Sequence, residues 1–116
     1  MEVGARERAL VVDDDTGVLF AVSAMIQDLG FEVDEAQNAD SAIKLFETKT
    51  YDLVVSDINM PGDIDGIQLA RIIRRKNVKQ PIILMTGYSE RIDDGAREFI
   101  VLAKPFGVDE IKNVLK

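Results

Sequence analysis

The chain contains no cysteine and no histidine. The first absence excludes disulfides and thiol catalysis, and the second removes the commonest general base and metal ligand. Any chemistry here is therefore carboxylate chemistry. No apolar run approaches the roughly 18 residues of a membrane span, and the opening Met1-Glu2-Val3-Gly4-Ala5-Arg6 has no apolar signal-peptide region. A cytoplasmic protein without a membrane partner is expected. Basic charge is also in short supply: 14 Lys and Arg against 21 Asp and Glu leave a formal charge of −7. That balance argues against direct nucleic-acid binding, which needs clustered cations on one face. Internal repeats, low-complexity segments and linkers are lacking as well.

What is present is a core. At 116 residues, 47% hydrophobic and 30% charged, the chain suits one domain over residues 1–116, with no separate output domain. Apolar runs at about 8–13, 31–36, 51–56, 81–85 and 99–103 alternate with helical periodicity, the pattern of a parallel sheet covered on both faces. Val18, Leu19, Val22, Met25, Ile26 and Leu29 recur at helical spacing, and Gly30 is placed to end that helix. Asn38 suits the N-cap of a second helix with Ala39, Ala42, Ile43 and Phe46; Ile67, Leu69, Ala70, Ile72 and Ile73 mark a third; Val108, Ile111, Val114 and Leu115 mark the last. Right-handed crossovers restrict how such units wind, and strand order 2-1-3-4-5 is the common solution at this size. The predicted fold is α/β, a doubly wound, flavodoxin-like sheet of five parallel strands.

Two strand ends are acidic. Leu53-Val54-Val55-Ser56 runs into Asp57, and Ala9-Leu10-Val11-Val12 runs into Asp13-Asp14-Asp15. In the 2-1-3-4-5 order strands 1 and 3 are neighbours, so these acids meet at the switch point where such sheets bind ligands. Two like charges about 4 Å apart repel by roughly 4 kcal/mol at an effective dielectric near 20. The cluster therefore needs a cation, shifted pKa values, or both. Asp15, with Thr16 beside it, reads as a helix cap, and the basic run Arg71-Arg74-Arg75-Lys76 reads as the solvated end of the third helix.

Together, Val11-Val12-Asp13-Asp14, Asp57 with Met60-Pro61 and Asp65-Gly66, Met85-Thr86-Gly87, and Lys104-Pro105-Phe106 resemble the receiver domain of bacterial two-component response regulators over nearly the whole chain. The resemblance implies that Asp57 accepts a phosphoryl group from a histidine kinase or His-phosphotransfer protein. It implies that Asp13 and Asp14 hold Mg2+, with Mn2+ as a substitute, and that Asp14, Asp57 and the Asn59 carbonyl are direct ligands. Thr86 would donate to a phosphoryl oxygen, Lys104 would supply fixed positive charge, and Lys104-Pro105 would be a cis peptide. Output would pass through contacts with a downstream protein, and no enzymatic turnover beyond self-catalysed phosphotransfer and autodephosphorylation is expected.

The chain departs from that family in three ways. The loop Met60-Pro61-Gly62-Asp63-Ile64-Asp65-Gly66 is one residue longer than the common spacing. The position three before Lys104, often a switching Tyr or Phe, is Val101, leaving Phe99 or Tyr88 as substitutes. Seventeen residues separate Thr86 from Lys104, about four fewer than in the family, or roughly one helical turn. A short or irregular helix between the fourth and fifth strands follows, with local opening across residues 89–96, a feature similar to a free-standing subgroup. Rival readings are a receiver excised from a larger regulator or hybrid kinase, a pseudo-receiver that is never phosphorylated, and a haloacid-dehalogenase-like phosphatase opening on Asp13-Asp14-Asp15-Thr16-Gly17. The last would need a cap and a second acidic motif.

Overall fold

The computed structural model describes residues 7–87 and 98–115. In chain order its elements are β1 (Arg8–Val12), α1 (Thr16–Asp28), β2 (Glu32–Ala36), α2 (Ala39–Thr48), β3 (Leu53–Asp57), α3 (Gly66–Lys76), β4 (Ile82–Thr86), β5 (Ile100–Ala103) and α4 (Val108–Leu115). The strands form one parallel sheet in the order β2-β1-β3-β4-β5, as the alternation of runs requires. The short or irregular helix expected between the fourth and fifth strands, and Tyr88, lie outside the described residues.

Successive side chains of a strand face opposite sides of the sheet. Ala9 and Val11 of β1 pack with Leu19, Val22 and Ile26 of α1 and Ile111 of α4 on one face. Leu10 and Val12 point the other way, onto Ala39 and Ala42 of α2 and Leu69, Ala70 and Ile73 of α3. β3 and β4 are buried throughout, whereas β2 and β5 carry exposed residues at the two edges. The central strands are thus apolar without alternation because both faces are covered.

Local signals fix where the helices begin. The Asp15 carboxylate accepts from the Gly17 and Val18 amides at 2.9 and 3.1 Å, capping α1, and Gly30 follows that helix at φ 100°, a left-handed position open to glycine. Asn38 caps α2 through the Ser41 amide at 2.8 Å. Asp65 and Gln68 form a reciprocal capping box on α3. The longer loop before α3 turns at Gly62, φ 104°.

The strand ends differ from the expected ones by a residue or two, and the difference has consequences. Asp57 is the last residue of β3 rather than the first of a loop, in register with Met85, and the next amide, Ile58 N–H, still donates to the Met85 carbonyl at 2.9 Å. Thr86 likewise belongs to β4, and its carbonyl accepts from the Lys104 amide at 2.7 Å. Sheet pairing therefore holds the backbone under three of the expected site residues.

α3 starts hard against the end of β3. Gly66 donates its amide to the Ile58 carbonyl at 2.8 Å, and a Cβ built on Gly66 would overlap the Asp57 backbone carbonyl. Only glycine permits this approach. Gly66→Ala should force α3 outward and lower stability by about 1–3 kcal/mol in chemical denaturation; an unchanged midpoint would mean that α3 shifts without cost.

At the other edge, Asp34 of β2 accepts from the Tyr51 hydroxyl at 2.7 Å and Lys49 Nζ at 3.2 Å, with Arg8 at 3.5 Å. Burial pushes its pKa up, but these hydrogen bonds and cations outweigh it and hold the carboxyl below its ordinary 3.8. A depressed carboxyl stabilises the fold fully above the unfolded value, and that contribution is lost as pH falls through the folded one. Asp34→Asn should therefore cost about 1 kcal/mol at pH 7. Urea melts across a pH series should show the gap to the parent closing below 3.8; a gap independent of pH would contradict the charge-based origin.

Candidate functional site

The site is assembled at the carboxyl ends of β1, β3, β4 and β5. Asp13 follows β1 directly, and its amide donates to Ala36 O of β2 at 3.1 Å, so its backbone is still sheet-bound. The side chain is 1% exposed. Asp14, one residue on, turns to solvent. Asp15 is spent on capping α1. Three consecutive acids thus do three different things, because the strand ends after the first and the helix begins after the third.

Asp57 is 6% exposed and Thr86 fully buried. Asp13, Asp14 and Asp57 each offer a carboxylate oxygen, and these atoms lie within 4.8 Å of one another. Lys104 reaches in from the end of β5: Nζ stands 2.9 Å from Asp57 Oδ1 and 3.1 Å from Asp13 Oδ2. The Lys104-Pro105 peptide is cis, as expected. Asn59, two residues past Asp57, is half-buried. All the expected site residues with a charge or hydroxyl to contribute therefore gather at one end of the sheet.

Electrostatics follow from crowding. Burial pushes the Asp57 pKa up; the Lys104 hydrogen bond opposes this, while the charges of Asp13 and Asp14 add to it, and the balance is a raised value. For Lys104, burial works against the charged form. The hydrogen bonds and charges of Asp57 and then Asp13 prevail, so the ammonium is held above the usual lysine range. Both Asp13 oxygens are engaged, Oδ1 by the Asp15 amide at 2.9 Å and Oδ2 by Lys104. Among the described residues Asp57 has a hydrogen-bonding partner at Oδ1 only.

Three carboxylates against one ammonium leave a surplus of negative charge, and the donor set is all oxygen. That fits a hard divalent cation, Mg2+ or Mn2+, better than a soft one. The exposed Asp14 keeps the cluster open to solvent. Beside it lies a shallow apolar cavity of about 210 Å³, lined by Val18, Ala21, Val22, Met25, Pro105 and Phe106 together with Lys104. On the same helix Phe20 is 75% exposed.

The motif fragment Asp65-Gly66 does not by itself disclose the close approach of Gly66 to Asp57. The available signal was a glycine directly after a capping acid, nine residues past a strand-end carboxylate. Of the aromatic substitutes considered for Val101, Phe99 is buried in the core at the start of β5 with the Arg74 guanidinium 5.2 Å above its ring. It sits at the opposite end of the strand from Lys104 and takes no part in the site.

Comparison with known proteins agrees with this geometry. The family model described as response regulator receiver domain matches residues 9–116. The chain is 34% identical to the regulatory protein AtoC of Escherichia coli, over 97% of this chain and 25% of that protein. It is also 34% identical to the transcriptional regulatory protein DltR of Streptococcus agalactiae, over 90% of this chain and 48% of the relative. It thus spans between a quarter and about a half of the length of these relatives. Among solved structures, the response regulator TrrA of Thermotoga maritima, in complex with Mg2+-BeF, superposes with a TM-score of 0.86 at 39% identity, covering 94% of this chain and 96% of that one. The chemotaxis protein CheY4 of Vibrio cholerae superposes with a TM-score of 0.85 at 26% identity, covering 96% and 97%. A family match across nearly the whole chain, on a sheet whose strand ends carry these acids and this lysine, makes the chain a member of the response regulator receiver domain family.

Proposed function

We propose that this chain is the phosphoacceptor of a two-component relay, taking a phosphoryl group from a histidine kinase or His-phosphotransfer protein onto Asp57. The observation that carries the reading is the position of Lys104, whose ammonium lies between Asp57 and Asp13 at 2.9 and 3.1 Å with Asp14 beside them. A carboxylate meant to stay inert at a strand end has no use for three charged neighbours.

In the transfer, Asp57 Oδ2 attacks phosphorus in line with the donor histidine. The new P–O bond forms as the P–N bond breaks, and the departing imidazole takes up a proton from solvent. Such transfers are accelerated by positioning and by fixed positive charge on the equatorial oxygens. Lys104 supplies that charge by turning its ammonium from the carboxylate toward a phosphoryl oxygen. The Thr86 hydroxyl donates to another. A divalent cation held by Asp14, Asp57 and the Asn59 carbonyl would neutralise the carboxylates and the incoming phosphoryl group. Asp13, whose two oxygens accept from the Asp15 amide and Lys104, would act on that cation largely through water. The apolar cavity between α1 and Pro105-Phe106 adjoins Lys104, so a donor helix seated there brings its histidine to the acids. Output passes to a downstream protein; the acidic surface, with a chain charge of −7, disfavours direct contact with nucleic acid.

Acetyl phosphate in Mg2+ tests the acceptor. The parent should gain one phosphoryl mass, a gain that prior chelation of the metal prevents, and Asp57→Asn should not. Full labelling of Asp57→Asn would overturn the assignment, while a parent that never labels would make the chain a pseudo-receiver.

The ligand set is tested by a readout that does not need phosphorylation. Mg2+ should raise the melting temperature of the parent by mass action. Asp14→Ala, which relieves repulsion, should stay folded but lose most of that rise. Equal Mg2+-induced shifts in the two proteins would remove Asp14 from the ligand set.

A further inference from the structure

The acidity of this chain is unevenly distributed. Residues 66–87 hold five of its 14 cations, Arg71, Arg74, Arg75, Lys76 and Lys79, and none of its 21 acids. These cations gather at the carboxyl end of α3, about 15 Å along the helix from Gly66 and the Asp57 site. There a groove of about 400 Å³ is lined by Arg71, Arg74, Arg75, Val78, Glu98 and Phe99.

We propose that this groove docks an acidic segment of a partner protein, one that carries a single apolar side chain among its carboxylates. The proposal goes beyond phosphoacceptance and does not depend on it, since no residue of the groove belongs to the Asp57 site.

Three observations fit that occupant. The described acids near the groove are already engaged: Glu98 pairs with Arg71 at 2.9 Å and Glu47 with Lys76 at 3.3 Å. Arg75 and Lys79 are exposed and pair with no described acid, so uncompensated positive charge faces solvent on an otherwise anionic protein. Second, Arg74 is poorly satisfied. It lies over the Phe99 ring and gives one terminal nitrogen to Gln80 O at 3.1 Å, but its buried Nε–H has no acceptor among the described residues. A small turn of the guanidinium toward the groove would offer Nε and a terminal nitrogen together to a carboxylate, the fork geometry arginine favours. Third, Val78 is 74% exposed beside these cations. A lone exposed valine is ordinary, but here it lines the same groove as Phe99 and gives an apolar side chain something to cover.

A nucleic-acid strand fits less well. Its phosphates extend past a five-cation patch onto a surface with a surplus of carboxylates, and phosphate gains nothing from Val78.

The test uses the full chain, labelled with 15N and titrated with a capped pentapeptide in which one leucine is flanked by two acidic residues on each side. A lysine version of the peptide and a short thymidine oligonucleotide are run alongside. The acidic peptide should shift the amides of Arg74, Arg75, Val78 and Phe99 in a saturable manner, more weakly as salt rises. The doubly substituted Arg75→Glu, Lys79→Glu protein should bind it about tenfold or more weakly while still labelling at Asp57 with acetyl phosphate like the parent. Val78→Ser, an exposed change that leaves the charges alone, should weaken binding to a smaller degree. Shifts elsewhere, no shifts at millimolar peptide, undiminished binding by the charge-reversed protein, or tighter binding of the oligonucleotide to the same residues would each overturn the proposal.

Discussion

The ion pair that Lys104 makes with both Asp57 and Asp13 is the constraint around which the rest of the molecule is arranged. Buried acids beside one another raise each other's pKa and resist ionisation, and here burial already does the same to Asp57. A single ammonium between two of them, 2.9 and 3.1 Å away, offsets part of that cost without filling the site. It leaves Asp14 exposed and one oxygen of Asp57 without a partner among the described residues. The cluster is therefore stable enough to exist and still unsatisfied enough to bind a cation.

Holding that geometry needs a scaffold in which four strand ends cannot drift. Lys104 lies 91 residues from Asp13 in the chain, and no local turn can relate them. The parallel sheet does so through register. Asp57 is paired with Met85, the Thr86 carbonyl accepts from the Lys104 amide, and the Asp13 amide is tied to β2. Gly66 then closes α3 onto the backbone of Asp57 itself, so Asp57 is clamped from the helix side as well as from the sheet. Parallel strands buried on both faces are costly to displace because every shift uncovers apolar surface on two layers.

Much of this was legible before any coordinates. The doubly buried strands were readable because uninterrupted apolar runs ended in acids. The caps at Asp15 and Asn38 and the terminator at Gly30 were readable because they are local chemistry. The Asp65–Gln68 capping box is equally local, with the right residues three apart. What stayed hidden was set by contacts across the fold. Nothing near Gly66 in sequence says that Asp57 carbonyl will touch it. Nothing near Asp34 announces Tyr51, Lys49 and Arg8 around it. The pairing of Arg74 with Phe99 joins a helix end to a strand start, and each residue alone looks unremarkable.

The departure at Val101 is informative for the same reason. A ring that swings between buried and exposed rotamers can report on a neighbouring threonine, but a β-branched side chain with two methyl groups on Cβ is stiff and has little to swing. Val101 is half-buried and packs against the core of the α2 and α3 face, and Phe99 is held at the far end of β5 beneath Arg74. Among the described residues the backbone connects this edge: Thr86 is in register with Ala103, and its carbonyl accepts from Lys104 at 2.7 Å. A displacement of the Thr86 backbone is passed to the peptide that carries the site's lysine. A hydrogen-bonded pair of strands moves as a unit more readily than it shears, because shearing breaks ladder bonds whose groups would be left buried and unpaired. In this chain Thr86 and Lys104 are therefore coupled through the sheet itself.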